Sequence, residues 1–378
     1  MNTIENNEGQ PSYLLGNDRV TTHVTVQGGH ITAAFHHPQN DFRPFFTAPW
    51  WREADLEATD EIIKVLRGDF FCLPFGANED PYQGTEHPVH GRTSNDCWGF
   101  AERDENEGEK TLRLNMDLGP GGGNVEKIIR LRADDPVIYS EHVISGLGGK
   151  MPLGHHATLQ CPDELGAGII DMSEPITGFT TPVPVEEPAS RGYSLLKTAA
   201  EISDRSRVPC VDGTLADLTR YPTRRGFEDV VAFISDTSKE FVFTTASFPE
   251  EGYVFFQLKD PKVLSQTLFW LSNGGRHYPP WNGRITAVLG MEEVTSFFHY
   301  GLKPSVEPNF FHDKGFRSYV DFDQNKPTSI KVIMGLVPVE KTFQGVQDIV
   351  RSSDTEITIL GRGGERIAVS CAVDFLKA

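Results

Sequence analysis

Short apolar runs, alternating or rich in β-branched residues, recur along almost the whole chain, each closed by Gly, Pro, Asn or Asp. They cover Val20–Val26, Ile31–Phe35, Thr111–Met116, Val125–Leu131, Val137–Ile144, Val230–Ile234, Phe241–Phe248 and Tyr253–Leu258. The series resumes at Thr267–Leu271, Ile285–Leu289, Ser318–Phe322, Ser329–Met334, Glu356–Leu360 and Ile367–Val373. Each run predicts a strand. Helices are predicted only over Glu53–Leu66 and Thr342–Val350; in the second, Phe343, Val346 and Val350 fall at i, i+3, i+7 spacing. No repeat, low-complexity tract or long linker interrupts the pattern. The expectation is an all-β fold of large antiparallel sheets, with residues 15–378 as one sandwich domain behind a flexible segment 1–14. Two separate β domains are the alternative.

The stretch 72–100, CLPFGANEDPYQGTEHPVHGRTSNDCWGF, breaks this rhythm. Gly76, Gly84, Pro88 and Gly91 punctuate it, so most of it is expected as loop. Its apolar ends, Leu73-Pro74-Phe75-Gly76 and Trp98-Gly99-Phe100, flank a polar middle with His87, His90, Arg92, Asn95 and Asp96. Trp98 and Phe100 are expected as core anchors. Loops on a rigid scaffold commonly carry binding groups. Aromatic faces beside imidazole, amide and guanidinium donors suit a sugar, which has apolar C–H faces and a hydroxyl rim. His87 and His90 also have the spacing of an HxxH metal pair, but no third ligand sits at obvious spacing.

Charge and cysteine content narrow the partners. With 35 basic and 53 acidic residues the net charge is −18, which disfavours a phosphate backbone, so nucleic acid is not an expected partner. No apolar run approaches the roughly 18 residues of a membrane span, so no membrane partner is expected either. The opening residues show no basic start followed by an apolar core, so no signal peptide is expected. The five cysteines form no CxxC pair, and free thiols in a reducing cytoplasm are the simplest reading.

Three further segments carry chemistry. Met151–Glu164 holds adjacent His155 and His156 at the start of an expected strand, where neighbours point to opposite faces. Leu289–Tyr300 holds Glu292 and Glu293 in an apolar run, so one of the two faces inward; a buried carboxylate is a candidate general base. Trp270–Trp281, WLSNGGRHYPPW, is a Gly/Pro loop rich in aromatic and polar groups, in which Arg276, His277 and Trp281 could equally form a pocket rim or an ordinary surface loop. No GxSxG, P-loop or catalytic cysteine motif is present. No carboxylate pair facing one bond, as glycoside hydrolysis requires, is singled out.

Leu73-Pro74-Phe75-Gly76 followed by His90-Gly91-Arg92-Thr93-Ser94-Asn95-Asp96-Cys97-Trp98-Gly99-Phe100 resembles the P-x-F-G … H-G-F-A-R-N-x-x-W-x-F pattern of the galactose mutarotase-like family, in its branch of aldose 1-epimerases and hexose-6-phosphate mutarotases. His156-Ala157-Thr158-Leu159 resembles that family's second histidine motif, and Gly290-Met291-Glu292-Glu293 its late G-x-E-P segment. The hairpin GNDRVTTHVTVQGGHITAAF is similar to the family's opening. The likeness runs from about residue 15 to about 300. Ser94 stands where the family motif has arginine, Arg92 where it has phenylalanine, and Glu293 where it has proline.

The resemblance implies a galactose mutarotase-like supersandwich and an isomerase interconverting the anomers of a free or phosphorylated sugar. Glu292 would take the proton of the anomeric hydroxyl and His156 would protonate the ring oxygen, with no metal or cofactor. His90, Arg92, Asn95, Asn78, Asp229 and Trp281 are the expected substrate-binding residues. For His156 a structural role stands beside the catalytic one. The rival functions are a non-catalytic carbohydrate-binding protein on the same fold and a glycan lyase or hydrolase. What separates the first rival from an enzyme is whether His156 and Glu292 converge from opposite sides of one pocket.

Overall fold

The computed structural model describes residues 4–53, 56, 60–106, 108–119 and 122–377. Among them, two large antiparallel sheets face one another. One runs in the order Arg220–Tyr221, Gly168–Met172, Val242–Phe248, Tyr253–Lys259, Thr328–Pro338, Val137–Ser145, Asn124–Arg132, Glu109–Asp117, Gly99–Glu105. The other runs Glu201–Ile202, Thr177–Thr180, Phe227–Ile234, Gln266–Asn273, Val288–Thr295, Leu153–Gln160, Phe71–Cys72. The main core lies between them, with Ile138, Phe255, Met334, Phe233, Phe269 and Met291 in one apolar cluster.

Both faces of the smaller of these sheets are covered. Every residue of Val288–Thr295 and Gln266–Asn273 is buried, so these strands lack the polar-out alternation of a half-exposed sheet. Pleating still sorts their side chains. Leu289 and Met291 enter the inter-sheet core, while Val288 and Val294 join an outer cluster with Trp50, Phe70, Phe75 and Trp281. That outer face carries the site.

The segment read as flexible, 1–14, is ordered wherever it is described: Ile4–Asn7 and Gln10–Gly16 are strands of a five-stranded sheet that also contains the Val20–Thr25 and Ile31–His37 hairpin. The helix expected over Thr342–Val350 is a strand instead, Val346–Arg351, in a three-stranded sheet that packs on the outer face of the larger sheet. Its ladder with Glu356–Gly361 shifts register between Val346 and Asp348. The irregularity turns Val346 and Ile349 to the same buried side, three residues apart, which imitates helical spacing. Over Glu53–Leu66 the described helix is Glu61–Val65, with Ile62 and Val65 buried; residues 54, 55 and 57–59 of that expectation lie outside the described residues. Phe100 is 37% exposed and is no core anchor, whereas Trp98 is buried.

Candidate functional site

Pleating separates the adjacent acid–base candidates. His155 points between the sheets, where its Nδ1 lies 2.9 Å from Asp69 Oδ2, both fully buried. Glu293 points the same way, 2.5 Å from Lys259 Nζ, and accepts from Thr244 and Thr267 hydroxyls at 2.7 Å. Their neighbours His156 and Glu292 point outward. The two strands pair in a register that sets His156 opposite Glu292, and His156 Nε2 lies 3.1 Å from Glu292 Oε1. Both line a cavity of about 160 Å³.

The pair is held tightly. The His156 ring stacks on Phe70 (4.5 Å between centroids), which itself stacks on His30 (4.4 Å). Thr158 Oγ1, two residues along the same strand, is 3.2 Å from His156 Nδ1. Gly290 makes room for the carboxylate: a Cβ there would fall 2.7 Å from Glu292 Oε1 and 2.8 Å from Trp270 Cβ. Burial disfavours charge on both members. It lowers the imidazole of His156 to about 3. It raises the carboxyl of Glu292 well above its usual range, with the Glu293 charge adding to the rise. The resting pair is therefore a neutral imidazole and a neutral carboxylic acid sharing one mobile proton.

His90 closes another part of the cavity, edge-on to His156 at 5.1 Å and to Phe75 at 4.8 Å. Its Nδ1 accepts from the Gly76 amide at 3.3 Å, so its proton sits on Nε2. Burial holds the ring neutral, and the neighbouring His156, His299 and Arg276 disfavour a positive charge there in the same direction. The turn bearing it demands glycine next: Gly91 has φ +77° and an added Cβ would meet Leu73 O at 2.0 Å.

The remaining candidates divide. Trp281 lines the cavity, edge-on to Trp50 at 5.3 Å. Asn95 does not line it. It is buried, accepts from the Ile62 amide at 2.9 Å and donates to Val89 O and Gly91 O at 2.7 Å, clamping the backbone on both sides of His90. Asn78 is likewise a brace, donating to Pro74 O, Gly76 O and Pro88 O and accepting from the Leu302 amide at 2.8 Å. Arg92 lies outside the lining, 42% exposed and paired with Asp96 at 2.6 Å. Asp229 faces away from the cavity and accepts from the Leu195 and Leu196 amides at 3.0 Å. Asn78, Asn95 and Asp229 thus satisfy backbone amides or carbonyls that would be costly to leave unpaired in the interior.

Two lining residues were not singled out as site residues by sequence. Arg276, read equally as pocket rim or surface loop, enters the cavity wall, its Nε 2.7 Å from Glu186 Oε1. His299 lies on the same lining, lowered to about 4 by burial and by the Arg276 charge. Behind Trp270, Glu228 accepts from its indole at 2.9 Å and from Ser272 Oγ at 2.8 Å, and burial pushes this carboxyl up to about 7. Sequence did offer a signal for Arg276, in the clustering of Trp270, Arg276 and Trp281; for His299 it offered none.

Solved structures share this architecture. A galactose mutarotase-like protein from Clostridium acetobutylicum superposes with a TM-score of 0.57 at 10% identity, over 89% of this chain and 98% of its own. The fold is galactose mutarotase-like. A galactose mutarotase related enzyme from Lactobacillus acidophilus gives 0.53 at 12% identity, over 87% of this chain and 98% of its own. A galactose mutarotase-like protein from Lactobacillus casei gives 0.53 at 8% identity, over 86% and 100%. No protein-family model and no curated protein matches the chain by sequence. In this mutarotase-like fold, His156 and Glu292 stand side by side on one wall, not across the pocket from each other as the sequence reading required of an enzyme.

Proposed function

We propose that the chain is an aldose 1-epimerase-like isomerase that interconverts sugar anomers at the His156–Glu292 pair. The observation that carries this reading is the 3.1 Å contact between the two groups within an aromatic-walled cavity. Its volume, about 160 Å³, compares with the ~150 Å³ cavity that holds one benzene ring. A single six-membered ring is on this scale, and Phe70, Trp270 and Trp281 supply an apolar wall for the C–H face of a sugar.

Side-by-side placement suits the reaction. The anomeric hydroxyl and the ring oxygen sit on the same carbon, so two groups on one wall reach both. A sugar hydroxyl donating to Glu292 and a ring oxygen accepting from His156 Nε2–H would stabilise the charged form of the pair, with the shared proton moved to the imidazole. Glu292 then takes the anomeric hydroxyl proton as His156 protonates the ring oxygen, and the C1–O5 bond breaks. The aldehyde turns about the C1–C2 bond. Closure from its other face returns each proton and leaves the pair as it began. His90 Nε2–H would steady the ring oxygen or a neighbouring hydroxyl. General acid–base catalysis contributes roughly 10²–10⁴-fold per group.

Saturation-transfer NMR of anomer exchange, on a panel of aldoses and hexose 6-phosphates, tests this reading. Wild type should accelerate exchange on at least one sugar. Glu292→Gln, which keeps the hydrogen bond to His156 but cannot hold the mobile proton, should lose on the order of 10²–10⁴ in kcat. Equal rates for the two proteins would refute the assignment of Glu292.

A further inference from the structure

Glu292, His156 and His90 account for the proton transfers but leave Arg276 without a task. It is the one cationic side chain among the described lining residues. Its Nε donates to Glu186 Oε1 at 2.7 Å, and the same carboxylate oxygen accepts from Tyr278 Oη at 3.0 Å. The guanidinium carbon lies 4.6 Å from the Trp281 ring centre and 5.5 Å from that of Trp270. Among the described residues, nothing accepts a hydrogen bond from either of its Nη groups. An arginine fixed at one edge by a carboxylate and on its face by indoles has already lost its rotamer freedom, yet two amino groups stay open. That is the form of a preorganised donor fork. On the same lining, His299 Nδ1 is buried with no hydrogen-bond partner among the described residues.

The surrounding charge selects the acceptor. The Arg276 charge is balanced by Glu186 in direct contact, with Glu228 buried close by. No second lysine or arginine stands on the described lining. A phosphate or carboxylate brought here would meet the repulsion of the Glu186 carboxylate that already matches Arg276, with no further lysine or arginine on the described lining to offset it. Neutral hydroxyls face no such repulsion and can each accept from one Nη.

Resting on the isomerase reading above, we propose that Arg276 is the specificity residue of the cavity: its two Nη groups donate to a neighbouring pair of hydroxyls on an uncharged sugar, and Glu186 positions it for that contact. Arg276 takes no part in proton transfer, so its loss weakens binding and leaves the chemical step nearly unchanged.

The test compares wild type, Arg276→Lys and Glu186→Gln by anomer-exchange NMR and by calorimetric titration, using an uncharged aldohexose, its 6-phosphate, its uronate and its monodeoxy analogues. Losing a bidentate, charge-assisted contact should raise KM for the aldohexose roughly tenfold to a hundredfold in Arg276→Lys, with kcat little changed. Glu186→Gln should move KM in the same direction by less. Wild type should reject one monodeoxy analogue that Arg276→Lys no longer distinguishes. An unchanged KM in Arg276→Lys overturns the proposal, as does an Arg276-dependent preference of wild type for the 6-phosphate or uronate. If Arg276→Lys does not fold, Glu186→Gln decides by the same KM criterion. Should wild type accelerate no anomer exchange, the isomerase reading fails by itself. Titration then judges the subsite: Arg276-dependent binding of the uncharged sugar sustains it, and absence of binding overturns it.

Discussion

The proton shared by His156 and Glu292 makes the site's pH response a property of the pair, not of either residue. Burial lowers His156 to about 3 and raises Glu292 well above its ordinary 4.5, so the sign is opposite to that of exposed groups. The imidazole gains a second proton only in strong acid, and the carboxyl keeps its proton through the range where an ordinary glutamate has lost it. The kcat profile should therefore stay flat from above the His156 value of about 3 upward through the range of an ordinary histidine, and fall on the alkaline side when the pair loses its single proton. A limb centred near 6.5, where an unperturbed histidine titrates, would sink this account. Asn95 makes a separate prediction. Asn95→Ala strips acceptors or donors from the Ile62 amide and from Val89 and Gly91 carbonyls. The cost should be on the order of 3 kcal/mol in urea unfolding, and the displaced His90 should lower activity in the fraction that stays folded.

At the scale of elements, the strands Leu153–Gln160 and Val288–Thr295 carry the acid–base pair, and the loop 72–100 carries His90. The alternation of a strand was legible in HisHis and GluGlu, since period-two pleating forces neighbours apart. Strand alternation alone did not show which member of each pair faced the cavity, because both faces of that sheet are buried and neither reads as solvent; only the family resemblance singled out His156 and Glu292. Gly290 belongs to this scale, because its bare Cα gives the Glu292 carboxylate its resting place between strands. Gly290→Ala would push a methyl against Trp270 Cβ, which cannot retreat as a flexible tip would, so the carboxylate must move. Anomer exchange should drop by at least tenfold, about the factor that 1.4 kcal/mol of lost positioning produces, while the far-UV circular dichroism spectrum stays that of wild type. Retained activity would show that Glu292 has freedom to spare. The loop 72–100 was legible as loop from its glycines and prolines, and the structure brings its His90 to the cavity lining. Its asparagines were assigned to the sugar because an amide side chain reads the same in sequence whether it meets a ligand or a backbone carbonyl.

Across the whole molecule, the inter-sheet core carries a polar seam beneath the site. Lys259 and Glu293 meet there at 2.5 Å, both 1% exposed. Lys259→Met would strand a buried carboxylate and should cost about 3–5 kcal/mol by denaturant unfolding; pairing it with Glu293→Leu should recover most of that loss. A single variant as stable as wild type would overturn this account of the seam. By itself, the sequence determined what local chemistry controls: an all-β chain, the sites of most strands, the opposed faces of adjacent residues and the glycine-bound turns around His90. Tertiary structure alone decided what depends on long-range register. It set His156 beside Glu292 on one wall, brought Arg276 and His299 into the cavity and turned Asn78, Asn95 and Asp229 toward backbone amides and carbonyls. It also made Val346–Arg351 a strand, where an irregular ladder copies helical spacing. The division has one cause: pleat and turn act over a few residues, whereas neighbours across a sheet are chosen by burial summed over the whole core.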